Sequence, residues 1–587
     1  MTGATKVRDY FTLRIEPILT QIYDRSTSKI LLDRLLTLLQ DYLADTQIEP
    51  GNQWTDLSKW DQRDVLLITY GDSLSASAGK TPLATLESFL AENLQDIVSG
   101  VHILPFFPYS SDDGFSVIDY KEVNPKLGTW EDVQAISQNF DLMFDLVINH
   151  VSSQSSWFKQ FQEGIKPGCD YFIEVDPETD LSGVVRPRSS PLLAKVKTVN
   201  GEKYVWATFS HDQIDLNFAN PDVLVEIIEV ILFYVEKGAK YIRLDAVGYL
   251  WKKLNTPCIH LNETHAVIKL LRELLQIIGA DVAIITETNV PNRENLSYFG
   301  NRNEAHLIYN FSLPPLLLNA LVTGKSKHLK HWMMSMPPAP LGCAYFNFTA
   351  SHDGIGLRPV EGILSEEESS LLVKTMKKFG GKISNRMRDD GKEHPYEINI
   401  SLFDACKGTV KGEDQWQIER FICSQTIMMS LESIPAFYIH SLLATPNNHE
   451  NVSRTGSNRA INRHKWDYEK LRSSLKDPQS PQSIIFNELR RLLKIRRRQA
   501  AFHPNATQYT LHLGKGIFAF WRQSLTRDQS IFSIHNISDR VKKIHLSDLN
   551  LVNTDPWCDL ISGHQIEDIY AKFPLQPYHS AWITNKF

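Results

Sequence analysis

The sequence predicts an α/β protein: a closed (β/α)8 TIM barrel with two inserted rim subdomains and a small C-terminal antiparallel β domain. Eight short runs rich in Val, Ile, Tyr and Phe alternate with longer helical stretches between residues 65 and 439. Two of the stretches between runs are too long for a simple crossover. After about residue 505 the pattern becomes strand-like, with alternating polar and apolar residues and turn residues between the strands.

The eight apolar runs are the predicted strands of the barrel. Uninterrupted apolar strands with helices between them imply a parallel sheet that is buried on both faces. This periodicity also allows an open doubly wound sheet, but the count of eight favours the barrel. The runs are 65–70, 101–107, 142–150, 241–248, 282–288, 306–311, 344–351 and 434–439.

The domain boundaries follow from this pattern. Residues 151–220 and 355–410 are the predicted insertions after strands three and seven, where loops of a barrel meet the substrate. Residues 1–62 are a predicted N-terminal helical extension, in which leucines recur at helical spacing from Leu32 to Leu43. We expect this extension to pack on the main domain, because amphipathic helices usually serve cores, and a homodimer surface is the alternative. The barrel itself is assigned to residues 63–150, 221–354 and 411–505, and the C-terminal β domain to residues 506–587.

Composition and charge place the chain among ordinary globular proteins. Hydrophobic residues make up 42% and charged residues 22%, and the net charge of -6 does not suggest nucleic acid binding. The six cysteines are scattered without a CxxC pair, which predicts reduced thiols. The start shows no signal-peptide pattern, and no apolar stretch is long enough for a bilayer. These features predict a cytoplasmic protein whose partners are neither nucleic acid nor membrane.

Four of the eight runs carry polar residues where an apolar core would be expected. These residues lie at or near the ends of the runs, which form the C-terminal rim of a barrel. A single buried carboxylate is as readily a structural ion pair as a catalytic group, whereas four polar groups that converge on one rim indicate catalysis. The residues are Asp145, Asn149, His150, Arg243, Asp245, Glu287, His352 and Asp353.

Asp245 and Glu287 form the predicted catalytic pair. Arg243 lies two residues before Asp245 on a strand, so both side chains face one side and the cation should keep Asp245 ionised as a nucleophile. Glu287 has no charged neighbour in the sequence, and an apolar setting raises the pKa of a carboxyl, as a general acid requires. Such a pair suits glycoside cleavage, with the carboxyls about 5–5.5 Å apart in a retaining enzyme.

Four short motifs, LVINH, RLDAVGY, ITET and SHDG, resemble the sequence blocks of the α-amylase superfamily in their usual order. Longer motifs, among them GVHILPFFPYSSDDGFSVIDY, RPRSSPLL, QIDLN and NRAINRH, are similar to the sucrose phosphorylase group of that superfamily. The motifs PCIHLNETH, IITETNVP, HPYEIN and SNRAINRH most resemble the glucosylglycerate phosphorylases, with the glucosylglycerol phosphorylases as the alternative. The resemblance covers about residues 65–505.

This resemblance implies a role for each residue of the site. Asp245 would form a β-glucosyl-enzyme, Glu287 would act as acid and then base, and Asp353 would hold the glucose 2- and 3-hydroxyls. Arg188 and Tyr396 match positions that receive phosphate, although from its own Pro-rich surroundings Arg188 would be a solvated loop arginine. The implied substrate-binding residues are Asp113, Phe115, His150, Arg243, Tyr249, His352, Glu397 and Arg463.

The sequence departs from the sucrose phosphorylases at the acceptor side. Glu397 stands where those enzymes tend to have Gln, and Thr256 and Pro257 also differ, which points away from sucrose. Lys252 and Lys253 follow the nucleophile strand, and we expect a solvated pair on a helix rather than ligands of a charged acceptor. No run of oxygen ligands suggests calcium, so we expect no metal and no organic cofactor.

Together these features predict a retaining α-glucoside phosphorylase, a glucosyltransferase that uses inorganic phosphate to release α-D-glucose 1-phosphate from a small α-glucoside. The first choice of substrate is 2-O-α-D-glucosylglycerate, and the alternatives are glucosylglycerol, sucrose and sucrose 6-phosphate. A hydrolase or transglucosidase with the same carboxylates is a second hypothesis. A non-enzymatic carbohydrate-binding barrel is the third, and the intact Asp245, Glu287 and Asp353 argue against it.

Overall fold

Eight parallel strands close into a barrel in the computed structural model, which describes residues 3–46, 59–75, 79–188, 190–387, 393–549, 551–552 and 555–586. Each strand pairs with its neighbours in sequence, and the last strand pairs with the first, so the predicted (β/α)8 barrel is confirmed. The strands are β1 (Leu66–Thr69), β2 (Gly100–Ile103), β3 (Asp141–Val147), β4 (Ala239–Asp245), β5 (Ala283–Thr286), β6 (Leu307–Tyr309), β7 (Ala344–Asn347) and β8 (Ile434–Tyr438).

Two helices precede the barrel, and each barrel strand is followed along the chain by a helix. Several of these helices begin with a capping side chain followed directly by proline, which presets the first helical residue. Such pairs are Thr81–Pro82, Asn220–Pro221 and Ser480–Pro481. The helices are α1 (Gly3–Ile22), α2 (Arg25–Thr46), α3 (Pro82–Asn93), α4 (Trp130–Ser137), α5 (Pro221–Glu236), α6 (Asn262–Ile277), α7 (Asn292–Leu296), α8 (Leu313–Thr323), α9 (Gln417–Ser430) and α10 (Pro481–Arg496).

The helical hairpin α1–α2 lies against the barrel helices α6 and α5. From α2, Leu32, Leu35, Leu36 and Leu39 are buried in the core that the hairpin shares with the barrel. From α1, Arg14 pairs with Glu273 on α6 at 2.8 Å.

Between the two helices, Tyr23 packs edge-on against Trp251 at 6.0 Å and donates a hydrogen bond to the carbonyl of Phe218. The hairpin therefore contacts the segment that follows the end of β4. Residues 1–2 and 47–58 of the predicted extension lie outside the described residues.

Two long segments rise from the carboxyl ends of β3 and β7. The first contains the helix Ser156–Glu163 and two small antiparallel pairs of strands. These pairs are His150–Ser152 with Gln213–Asp215, and Leu193–Thr198 with Gly201–Trp206. The second contains the helix Glu366–Lys378 and a three-stranded sheet of Ile355–Gly356, Glu393–Asn399 and Lys382–Met387, with residues 388–392 outside the described residues. Both segments overhang the rim where the predicted site lies.

A six-stranded antiparallel sheet forms the C-terminal domain, as predicted. One face, with Phe518, Phe520 and Trp582, joins the core of the barrel, and the Trp582 indole donates to Ser430 Oγ at 2.9 Å. The other face forms a separate apolar cluster that includes Phe532 and Ile534. Its strands are Thr507–Leu511, Ile517–Gln523, Ser530–Asn536, Trp557–Asp559, Gln565–Ile566 and Ser580–Thr584, beside the pair Lys542–His545 and Lys572–Leu575.

The remaining short elements surround the rim and the outer surface. They are the helices Lys327–Ser335, Leu402–Ala405, Ile439–Leu442, His449–Thr455 and Tyr468–Lys476, and the hairpin Gly408–Thr409 with Gly412–Glu413. In the described part of the chain, we find no helix that combines the length and apolarity needed to cross a bilayer.

Candidate active site

The centre of the rim is a buried guanidinium that bridges three carboxylates. Arg243 on β4 is almost completely buried, and its Nη1 contacts both Asp145 on β3 and Asp245 Oδ1, the latter at 2.7 Å. Its Nη2 lies 3.8 Å from Oε1 of Glu287, which follows β5 directly. One cation therefore sets the position of both members of the predicted catalytic pair.

Asp145 is the anchor of this guanidinium. Its Oδ2 lies 2.6 Å from Nε2 of His102 on β2, and both side chains are fully buried. Burial raises the pKa of Asp145, but His102 and Arg243 outweigh this effect and the net pKa is lowered. We infer that Asp145 is an ionised residue that orients Arg243 from below rather than a group that meets the substrate.

Asp245 and Glu287 lie in one buried site, and some of the same groups shift the pKa of both carboxyls. Burial raises the pKa of both carboxyls, and Arg243 opposes the rise. The sequence predicted only that Arg243 would keep Asp245 ionised. In the structure, burial and the neighbouring carboxylates also act on Asp245, and both raise its pKa. Arg243 contacts Asp245 at 2.7 Å and Glu287 only at 3.8 Å, so the geometry favours the anion on Asp245 and the proton on Glu287.

The turn after Asp245 adds a backbone contact to the pair. Ala246 adopts a left-handed conformation with φ of 54°, which is strained for a residue with a side chain. In this conformation its N–H points to Oε2 of Glu287 at 3.3 Å. The strained turn therefore connects the end of β4 to the carboxyl that follows β5.

Asp353 lies on the far side of the same cavity. Its Oδ1 is 2.5 Å from Nη1 of Arg459 and 3.6 Å from Nε2 of His352. Burial raises the pKa of Asp353, but Arg459, His352 and Arg463 lower it far more, so the net pKa lies well below its ordinary value. Asp353 is therefore ionised and able to accept hydrogen bonds from sugar hydroxyls.

Arg459 is held on its other side by Glu397, a buried residue of the strand Glu393–Asn399. Arg459 donates to both carboxylate oxygens, through Nη2 at 2.8 Å and Nε at 3.2 Å. Glu397 also accepts from the N–H of Gly354 at 2.9 Å. A Cβ at position 354 would lie 2.5 Å from Cγ of Glu397, which explains why glycine follows Asp353 in the SHDG motif.

Aromatic rings line part of the inner cavity. The rings of Phe115 and His352 are stacked at 4.8 Å with an angle of 4° between their planes. His150 lies beside them, with Nε2 at 2.9 Å from the carbonyl of Phe115. In the adjoining loop, Asp113 pairs with Arg463 at 2.6 Å and adopts a left-handed conformation with φ of 49°. These contacts give a flat apolar face beside polar groups, which suits a sugar ring.

The structure brings all thirteen predicted site residues to this rim. An inner cavity of about 80 Å³ lies above Arg243, and an outer cavity of about 700 Å³ leads to it. The inner cavity is lined by Phe115, His150, Arg188, Asp245, Tyr249, Glu287, His352, Asp353 and Tyr396. The outer cavity is lined by Asp113, Arg188, Glu397 and Arg463.

Further residues of these cavities were not predicted as site residues, and five of them are Gln213, Phe209, His260, Asn289 and Arg459. Four of them lie within or directly beside motifs that carried the family resemblance. Asn289 is two residues after Glu287, and Arg459 is four residues before Arg463. Proximity to a recognised residue was therefore the available signal. Phe209 lies outside these motifs, and nothing in the sequence marked it.

Lys252 contradicts the expectation of a solvated lysine pair. Its side chain is only 4% exposed, and its Nζ lies 2.6 Å from Asp215 Oδ2, from Asn149 Oδ1 and from the carbonyl of Tyr249. Only Lys253 is exposed. Three oxygens around one ammonium tie together the end of β3, the first insertion and the turn after β4.

The cation between Asn149 and Asp215 is thus the ammonium group of Lys252. Asp215 also accepts from the N–H of Thr208 at 2.9 Å and from its hydroxyl. In the described ranges, we find no group of three or more His, Cys, Asp and Glu side chains arranged to hold a metal ion.

Asp212 positions the loop that carries Asp113 and Phe115. Its carboxylate accepts from four serine hydroxyls, including Ser116 at 2.8 Å and Ser153 at 2.6 Å. The other two donors are Ser110 and Ser111. Because these serines lie after β2 and after β3, one carboxylate joins both loops to the first insertion.

Replacing Asp212 with asparagine should loosen this loop. The amide keeps the shape but loses the charge that four hydroxyls share, at a cost of about 2 kcal/mol in the free energy of unfolding. We expect KM for the glucoside to rise about tenfold, since a cost of about 1.4 kcal/mol in binding corresponds to that factor. Steady-state kinetics and urea unfolding measure the two effects. Asp180→Asn, at an exposed turn of the same insertion, is the matched control, and equal behaviour of both variants would contradict the role of Asp212.

The chain is similar to known proteins over most of its length. A family model described as the α-amylase catalytic domain matches residues 92–353. The chain is 45% identical over 581 residues to the glucosylglycerate phosphorylase of Spirochaeta thermophila, covering 97% of this chain and 98% of that protein. It is 43% identical over 528 residues to the glucosylglycerate phosphorylase of Allomeiothermus silvanus, covering 90% of this chain and 92% of that protein.

Among solved structures, the sucrose 6F-phosphate phosphorylase from Thermoanaerobacter thermosaccharolyticum matches this fold with a TM-score of 0.72. The two sequences are 25% identical, and the match covers 87% of this chain and 98% of that one.

Proposed function

The chain belongs to the glucosylglycerate phosphorylase family within the α-amylase superfamily, and from this premise we propose that it transfers the glucosyl group of 2-O-α-D-glucosylglycerate to phosphate. The products are α-D-glucose 1-phosphate and glycerate. The observation that carries the proposal is the pair Asp245 and Glu287 on one guanidinium, in a cavity that Arg188 and Tyr396 also line. The pair supplies the chemistry of glucosyl transfer, and the arginine supplies a partner for phosphate.

In the first step, a carboxylate oxygen of Asp245 attacks the anomeric carbon of the bound glucoside. The bond from that carbon to the glycerate oxygen breaks, and Glu287 gives its proton to the departing oxygen. Asp353, held ionised by Arg459, accepts hydrogen bonds from the glucose hydroxyls as positive charge develops on the ring. The result is a β-glucosyl ester on Asp245 and free glycerate.

In the second step, an oxygen of hydrogen phosphate attacks the same carbon from the side that glycerate has left. Glu287, now a carboxylate, accepts the proton of the phosphate hydroxyl, and the ester bond to Asp245 breaks. Two inversions give net retention. Water competes for the ester, so a cation that holds phosphate beside the anomeric carbon favours phosphorolysis over hydrolysis.

The decisive assay measures α-D-glucose 1-phosphate from glucosylglycerate, glucosylglycerol, sucrose and sucrose 6-phosphate, each with and without phosphate. We expect phosphate-dependent release that is fastest from glucosylglycerate. Equal release of free glucose with and without phosphate would instead identify a hydrolase. Phosphate-dependent release from another donor would keep the reaction class and change the aglycone.

Replacing Arg188 with glutamine should weaken the binding of phosphate rather than the binding of the glucoside. Hydrogen bonds from a charged donor contribute about 1.5–3 kcal/mol, so we expect KM for phosphate to rise about 10- to 100-fold. Hydrolysis of the glucosyl-enzyme should change little, and the ratio of glucose 1-phosphate to glucose should fall accordingly. An unchanged product ratio at limiting phosphate would show that Arg188 is a loop arginine without a role in phosphate binding.

The pH dependence of kcat/KM should follow the protonation of Glu287. Burial raises the pKa of this carboxyl above its ordinary value of 4.5, so Glu287 stays protonated to higher pH and kcat/KM falls only when that raised pKa is passed. Glu287→Gln should lower kcat/KM on glucosylglycerate about 10²- to 10⁴-fold. With α-glucosyl fluoride, which needs no acid to leave, the variant should form the glucosyl-enzyme without the alkaline decline. The same decline in both proteins would assign it to another group.

A further inference from the structure

The proposed substrate places a negative charge where the site is already rich in carboxylates. Asp245, Glu287 and Asp353 line the inner cavity, and Glu397 lies just behind it. The carboxylate of the glycerate group must sit within a few ångströms of this cluster, because it is two bonds from the oxygen that Glu287 protonates. Such a position requires a cation, since a buried charge without a partner is strongly unfavourable.

Few cations face this cavity among the residues that the structure describes. Three histidines line it, but burial lowers the pKa of His150 and His352, and it lowers the pKa of His260 to about 4. All three are therefore neutral at pH 7. The cations that remain in the lining are Arg188 and Arg459.

These two arginines differ in how they are held. Arg188 lies in the loop of the first insertion and lines both cavities. Arg459 also lines both, and two of its nitrogens are occupied by the carboxylate of Glu397. The paired fork fixes the plane of the guanidinium and directs Nη1 toward Asp353 and the catalytic centre. Arg459 is thus a preorganised cation between the entrance and the reacting carbon.

We propose that Arg459 binds the carboxylate of the glycerate group, with Glu397 as the residue that positions it. This inference rests on the proposed function, and it assigns the two arginines to the two anions of the reaction. Glycerate uses the fixed arginine, and phosphate uses Arg188 on the loop. The contacts of Arg459 with Glu397 and Asp353 use three of its five N–H groups, which leaves one N–H on each of Nη1 and Nη2 for the aglycone. The assignment also gives Glu397 a purpose, because its two carboxylate oxygens hold Nε and Nη2 together and fix the orientation of the guanidinium.

The test measures how one glucosyl-enzyme divides between acceptors. With α-glucosyl fluoride as donor, the yield of glucosylglycerate relative to glucose is determined over a range of glycerate concentrations, and the same is done with glycerol and with phosphate. This ratio depends only on steps after the glucosyl-enzyme has formed, so slower formation through a disturbed Asp353 does not alter it. Unfolding curves establish that each variant is folded.

We expect Arg459→Gln to lower transfer to glycerate, relative to water, by about 10- to 100-fold, as loss of a charged hydrogen bond implies. Transfer to glycerol, which lacks the carboxylate, should change less than about threefold on the same scale. Arg459→Lys should recover part of the preference for glycerate. Arg188→Gln is the matched control, and it should lower transfer to phosphate and spare transfer to glycerate.

An equal loss for glycerate and glycerol in Arg459→Gln would overturn the proposal, because it would mean that Arg459 only supports Asp353. So would a loss of glycerate transfer in Arg188→Gln alone. Should Arg459→Gln fail to fold, Glu397→Gln provides the second variant, and an unchanged ratio of glycerate to glycerol transfer there would overturn the positioning role. Failure of the proposed function looks different, since the wild-type protein would then transfer no glucosyl groups to glycerate at all.

Discussion

Asp245→Ala should abolish glucosyl transfer, with kcat/KM at least about 10⁴-fold lower for every donor, since no other residue can form the covalent ester. Asp245 ends β4 and contacts Arg243 at 2.7 Å, while the remaining carboxylates of the site have other tasks. Asp145 contacts His102 and Arg243, and Asp353 contacts Arg459. Release of glucose 1-phosphate from glucosylglycerate, followed over hours at high protein concentration, measures the residual rate.

A trapping experiment identifies the nucleophile directly. Glu287→Gln should accept the glucosyl group from α-glucosyl fluoride and release it slowly, because the base for the second step is missing. Mass spectrometry of peptides should then find one glucosyl group on the peptide that contains Asp245. The double variant with Asp245→Ala is the control and should carry none. Glucoside cleavage that survived in Asp245→Ala would sink the double-displacement mechanism.

Lys252→Met should strongly destabilise the fold beside the site. The side chain is nearly the same length but has no charge, and it leaves the buried carboxylate of Asp215 without the ammonium at 2.6 Å. Removal of one partner from a buried ion pair costs about 3–5 kcal/mol. We expect a loss of that size in the free energy of unfolding, measured in urea, and a loss of activity because the turn after β4 is no longer tied to the first insertion.

Two further variants separate charge from shape. Lys253→Met, next door and exposed, should change the free energy of unfolding by less than about 0.5 kcal/mol. Lys252→Met combined with Asp215→Asn should recover much of the loss, because neither charge is then left alone. A single variant Lys252→Met as stable as Lys253→Met would contradict the assignment of Lys252 as the cation of this junction.

The barrel could be predicted because its signal is local. Each strand is a short run of mostly apolar residues, and the run 241–248 overlaps β4 (Ala239–Asp245) over residues 241–245, where the strand is buried. The same argument placed Asp245 and Glu287 at one rim. The predicted strand bounds extended past the observed ones, as in 142–150 against Asp141–Val147, where Ile148 continues the apolar run beyond the last strand residue.

Lys252 and Asp212 could not be predicted because their partners are remote in sequence. Lys252 looked like a solvated lysine until Asn149 and Asp215 were brought to it from two other segments. Asp212 lies in an ordinary polar stretch, and only the fold brings Ser110 and Ser111 to its carboxylate. A sequence shows that a charge exists, but the pairing that decides its burial is a tertiary property.

The pKa of Asp245 depends on groups that its sequence neighbours do not show. Arg243 was expected to keep Asp245 ionised, and the contact at 2.7 Å exists. The expectation did not include the depth of burial, nor the carboxylates of Glu287 and Asp353 that share the same space. The left-handed turn at Ala246 was equally out of reach, since the contact with Glu287 that accompanies it comes from the next strand.

The helical hairpin α1–α2 has a consequence for how the chain is made. Its leucines pack against α5 and α6, which begin at Pro221 and Asn262, far behind α2 in the order of synthesis. At translation rates of about 5–20 residues per second, the hairpin leaves the ribosome roughly 10 to 35 s before α5 does. During that interval its apolar face has no native partner. Expression in a host with ample ribosome-associated chaperones, or at a temperature that weakens premature association, should therefore raise the yield of folded protein more than changes to the barrel itself would.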